Sequence, residues 1–99
     1  MDISLELKKI ADHYGYEEQR EQLVEECAEL IQAVSKHRRA RTAKKAGIAL
    51  ENLVEEIVDV EIMLEQIKHL LQIPEGYMQA IKVYKINRTK ERMAESKGV

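Results

Sequence analysis

Apolar residues recur at helical intervals along most of this chain, and no other feature of the sequence constrains the fold as tightly. In the stretch ENLVEEIVDVEIMLEQIKHLL, Leu53, Ile57, Val60, Leu64, Ile67 and Leu71 fall three or four residues apart. That is the spacing of one face of an α-helix. The stretch QLVEECAELIQAV repeats it with Leu23, Cys27, Leu30, Ile31 and Val34. No run alternates with period two for long enough to make a strand, and no internal repeat is visible. The pattern predicts an all-α chain of four helices, about Ser4 to His13, Glu17 to Lys36 or somewhat beyond, Ala49 to Gln72, and Glu75 to Glu95. Gly15 supplies a left-handed cap to the first helix. The sole proline, Pro74, ends the third and opens the fourth. Between helices two and three, KHRRARTAKKAG is expected as loop or frayed helix, and Ser96 to Val99 as a fraying polar tail.

Composition bounds the rest. At 99 residues the chain suits a single domain, 1–99, with one small core, and association with further copies would help such a domain bury surface. Hydrophobic residues make up 44% of the chain, enough to exclude disorder. The net charge of −2 argues against a nucleic-acid binder. The charge is unevenly spread, however. Glu17 to Glu29 holds six acids and one arginine, whereas Lys36 to Lys45 holds six bases and no acid. Cys27 is the only cysteine, so no internal disulfide can form. With no signal pattern and no apolar run of about 20 residues, the cytoplasm is the expected compartment.

The acids carry the chemistry. At about 100° per residue, Glu26 sits on the border of the apolar stripe of the second helix, with Glu29 one turn along the same flank and Glu25 nearly opposite. Glu26 and Glu29 form an i,i+3 pair with Cβ atoms about 5–6 Å apart. The third helix carries a matching pair, Glu56 and Asp59, with Glu55 turned away. Packed antiparallel, the two helices would bring four carboxylates together. Such a cluster needs protons or cations to offset its repulsion, and a hard divalent cation such as magnesium takes oxygen ligands of this type.

The arrangement Glu25-Glu26-x-x-Glu29, 26 intervening residues, then Glu56-x-x-Asp59 resembles the signature of MazG-like nucleotide pyrophosphohydrolases, in the all-α NTP pyrophosphatase superfamily. YGYEEQ, AELIQAV and VEEIVDVEIMLEQ extend the resemblance over about Tyr14 to Arg92. It implies a four-helix MazG-like bundle assembled as a homodimer or dimer of dimers. It also implies Mg²⁺-dependent hydrolysis of a nucleoside triphosphate to the monophosphate and pyrophosphate, with Mn²⁺ as an alternative ion. Carried over residue by residue, Glu26, Glu29, Glu56 and Asp59 would be metal ligands and Glu25 an accessory site residue. In the fourth helix, Lys85 and Arg88 would contact phosphate, with Asn87 and Tyr84 near sugar or base. The Lys36 to Lys45 stretch ranks behind that helix as a phosphate attractor.

Other features point elsewhere. His13, His37 and His69 show no metal-ligand spacing with Cys27, which falls on the core stripe as a small apolar residue. Glu61 lies in the apolar sector of the third helix, where a partner across a subunit interface would satisfy it. The competing function is a non-catalytic helical module that binds nucleic acid or a protein through the basic segment.

Overall fold

The computed structural model describes residues 1–97, and its helices run in chain order as α1 (Ile3–Tyr14), α2 (Tyr16–Arg39), α3 (Ala43–Leu70) and α4 (Glu75–Lys97). Among the described residues there is no strand, and no helix is long and apolar enough to cross a membrane. The helices extend the sequence expectation mainly around the basic segment. Lys36–Arg39 is the last turn of α2, and α3 starts at Ala43 rather than Ala49. Thr42 explains that early start: its hydroxyl accepts the Lys45 backbone N–H at 3.1 Å, a cap that satisfies an otherwise orphaned donor. Only Ala40, Arg41 and Thr42 remain as link. The expected polar tail is helical to Lys97, and Gly98 and Val99 lie outside the described residues.

The remaining ends follow local chemistry. Asp2 caps α1 by accepting the Leu5 N–H at 3.1 Å. Gly15 closes α1 and opens α2, with φ 86° and ψ 169°. Its φ is positive as expected, but its ψ is extended rather than helical, a region open essentially to glycine alone. α3 stops at Leu70, ahead of Pro74, because Gln72 turns left-handed at φ 54°. The Gln72 N–H then bonds the His69 carbonyl, and the Ile73 N–H bonds the Lys68 carbonyl. These two bonds form a Schellman motif built on a residue other than glycine.

α2 and α3 pack as an antiparallel pair, with α1 lying against both. The pair is registered by a buried hydrogen bond at 2.6 Å from the Gln19 amide to the Gln66 carbonyl oxygen. From that level the facing residues repeat every seven positions. Gln19, Glu26 and Ala33 run down α2 towards its cap Ala40, while Gln66, Asp59 and Asn52 run up α3. A seven-residue repeat keeps the same face of each helix on the seam. The buried set is small: Ala11, Ala33, Val60 and Met63, with Gln19 and Gln66 as the buried polar pair.

The seam therefore differs from the apolar stripes read in the sequence. Leu23, Cys27, Leu30, Leu53 and Ile67 are half-buried and Val60 is buried, but Ile31, Val34, Ile57, Leu64 and Leu71 are exposed. Gln19, Gln66 and the small Ala33 are buried where these apolar residues are not. Glu61 is also exposed, beside Ile62 and α1 residues Ile3 and Leu7.

All four expected helices are present, but within one chain only three pack together. Among the described residues α4 packs on none of the others and is tied to α3 by one ion pair, Lys68 to Glu75 at 3.9 Å. The chain is open as a result. Its radius of gyration is 17.6 Å, against about 13 Å for a compact domain of this length. It exposes 8005 Å², where a monomer of this mass exposes about 5,800 Å².

Candidate metal centre

Two turns along the seam from the glutamine pair, α2 and α3 bring their carboxylates together. Glu26, Glu29 and Glu56 each offer one oxygen, and the three oxygens lie within 4.8 Å of one another. Glu26 and Glu56 are half-buried, and Glu29 is exposed at the mouth. At that separation two full charges repel by about 3 kcal/mol at an effective dielectric of 20. A proton or a cation among the three would offset that repulsion.

Two atoms test whether a cation fits. Glu26 Oε2 and Glu56 Oε2 are buried and have no hydrogen-bond partner. Buried polar atoms are almost always satisfied, so two orphaned carboxylate oxygens facing one cluster fit a hard cation with oxygen ligands. The other Glu26 oxygen accepts from the Gln22 amide at 2.8 Å, which fixes the side chain's direction. That hydrogen bond alone would lower the Glu26 pKa. Burial and the negative charges of Glu29 and Asp59 outweigh it, and the Glu26 carboxyl is raised above its ordinary value of 4.5. Asp59 thus acts on the group through its charge from a half-buried position on α3.

The site residues read from the sequence divide among three places. Glu26, Glu29 and Glu56 meet, with Asp59 beside them. Glu26 lies on the inner face of the α2–α3 pair rather than on its border, because the seam is centred on Gln19, Glu26 and Ala33. Glu25 is exposed on another side of α2, beside Glu18 and Glu21. Tyr84, Lys85, Asn87 and Arg88 are exposed on α4, away from the carboxylates, with the Arg88 guanidinium 5.8 Å from the Tyr84 ring centre.

Gln19, Gln22 and Gln66 escaped the sequence reading, since polar residues in a helix usually mean solvent. The signal was present in their spacing. Gln19 stands seven residues before Glu26, Gln66 seven after Asp59, and Gln22 one turn before Glu26. Compared with known proteins, the chain matches no family model, no curated protein and no solved structure. Fold and site define an all-α four-helix protein with an acidic triad that could hold a metal ion.

Proposed function

We propose that the protein is a MazG-like nucleotide pyrophosphohydrolase, which cleaves a nucleoside triphosphate to the monophosphate and pyrophosphate. The observation that carries this reading is the carboxylate group on the α2–α3 seam, with its two orphaned buried oxygens. Glu26, Glu29 and Glu56 would hold magnesium, or manganese in its place, with Asp59 completing the set. A bound divalent ion supplies charge neutralisation for the phosphates and activation of a water. In the hydrolysis, the water oxygen forms a new bond to phosphorus, a bridging P–O bond breaks, and pyrophosphate leaves. The water's proton passes to a carboxylate of the group. Glu25 would serve a second metal or a neighbouring subunit, since it stands apart from the triad.

The proposal includes a homodimer or a dimer of dimers. Its support is the open protomer: α4 packs on no helix of its own chain, and large apolar residues of α2 and α3 face outward. An unpartnered amphipathic surface of this kind marks an interaction face. α4 of a second copy would then bring Lys85 and Arg88 to the phosphates, with Asn87 and Tyr84 towards the nucleoside.

The test is pyrophosphate release from a panel of ribo- and deoxynucleoside triphosphates, with Mg²⁺ and with Mn²⁺. Release from at least one nucleotide is expected. No release from any of them with either ion would sink the proposal.

A further inference from the structure

Beyond the carboxylates, the seam runs on towards the α2–α3 link. Lys36 follows Glu29 by seven residues on α2, about 10 Å along the axis. On α3, Asn52 precedes Glu56 by four residues and Lys45 precedes Asn52 by seven. There a cavity of 520 Å³ opens, lined by Lys36, Arg39, Lys45, Ile48, Ala49 and Asn52 among others. Its lining combines three cationic side chains with small and apolar ones. The acidic and basic levels are therefore two stations along the α2–α3 pair.

The positive charge at the second station is uncompensated. None of the six bases from Lys36 to Lys45 has a carboxylate within 4.0 Å among the described residues. The first turn of α3 adds the positive end of the helix dipole, and it carries two lysines and no acid. Acidic residues normally occupy that position because they are stabilising there. A solvated basic face needs neither a cavity nor an uncompensated helix end. A polyanion seated in the cavity would offset both.

We propose that Lys36, Arg39 and Lys45 form a polyphosphate-binding subsite, which receives the terminal phosphates of a substrate whose reacting phosphorus lies at the carboxylates. The nucleoside part of the ligand rests on the pyrophosphohydrolase reading, whereas the preference for a short phosphate chain rests on the cavity. A continuous nucleic-acid backbone fits less well. It would have to run from the basic station past Glu29 and Glu56, whose charges repel it. A short chain ends in the cavity. Pyrophosphate would leave from the same place, so it should compete with substrate.

The probe is inorganic triphosphate, titrated calorimetrically into the full chain with and without Mg²⁺. Wild type should bind it, and Lys36→Ala and Lys45→Ala should each weaken binding about tenfold. Lys36→Glu/Lys45→Glu should abolish binding, with helix content by circular dichroism unchanged. Glu56→Gln should bind at least as well as wild type without Mg²⁺. No binding by wild type, or equal binding by Lys36→Glu/Lys45→Glu, overturns the subsite. So does a single-stranded oligonucleotide that binds more tightly than triphosphate through the same lysines. If no nucleotide is hydrolysed yet triphosphate binding follows the lysines, the subsite stands and the enzyme reading falls. If nucleotide is hydrolysed and the lysine variants leave KM unchanged, the enzyme reading stands and the subsite falls.

Discussion

The inner and outer faces of the α2–α3 pair reverse the usual order of a helical protein. The inner face holds Gln19, Glu26, Glu56 and Gln66 among small and medium apolar side chains. The outer faces hold Val24, Ile31, Val34, Val54, Ile57 and Leu64, every one of them exposed, with Ile31 at 68%. Hydrophobicity alone would turn the pair the other way. A polar inner face is affordable where its groups find partners, as the two glutamines do, or where a ligand supplies them. Within one chain the outer face stays exposed. The difference teaches that in this chain the carboxylates and glutamines lie along the seam, while several of the largest apolar side chains lie outside it.

That contrast can be broken from either side. The largest effect is expected at the inner face: Glu56→Gln should cut pyrophosphate release on the order of 10³-fold, as loss of several kcal/mol of metal-based stabilisation would. Activity equal to wild type would remove Glu56 from the site. On the outer face, Ile31→Asp/Ile57→Asp should shift the sedimenting species to the mass of one chain, with wild type at twice that mass or more. A wild type that sediments as a single chain at high concentration would leave the outer face without its second copy.

The glutamine pair offers a finer probe. Gln66→Ala strands the buried Gln19 amide and should cost about 2 kcal/mol, near 10 °C in melting temperature for a domain of this size. Replacing both glutamines with leucine should cost far less, and a double-mutant cycle would measure the coupling. Glu26 gives a pH signature when divalent ions are chelated. Its carboxyl is raised in the folded state, so the folded chain holds that proton over a range where the unfolded chain has lost it. Stability must then fall as pH rises from 4.5 through the raised value. Glu26→Gln should lack this component, melt above wild type beyond that window, and lose the advantage when Mg²⁺ is restored. A difference independent of pH would contradict the raised carboxyl. Last and smallest, Gln72→Gly should raise stability by up to about 1 kcal/mol, because glycine adopts the left-handed conformation without the penalty.

Much of this was legible beforehand. The helical spacing gave the four elements, and the paired i,i+3 acids gave Glu26, Glu29 and Glu56, which do meet. The facing of the helices was not legible. A periodicity reading assumes that the most apolar sector is the core, so it placed Ile31, Val34, Ile57 and Leu64 inside and left Glu26 at the border. The true seam is decided by one buried hydrogen bond between residues 47 positions apart, and no local pattern announces such a contact. The basic segment, expected as loop or frayed helix, is helical on both sides of a short link, and Thr42 is the residue that decides where α3 begins. Among the described residues α4 packs on no other helix, and periodicity does not address where a helix docks.

The seven-residue register also determines where the chain can change length. One residue deleted from α2 between Gln19 and Glu26 turns everything beyond it by about 100°, carrying the carboxylates off the seam while Gln19 still holds Gln66. Deleting two full turns from both helices would keep the facing and remove a station. The link at Ala40–Thr42 lies past the last station, so insertions there leave the spacing of the carboxylates unchanged. Length variation in proteins that share this seam should therefore concentrate in the link, and should come in sevens within the paired helices.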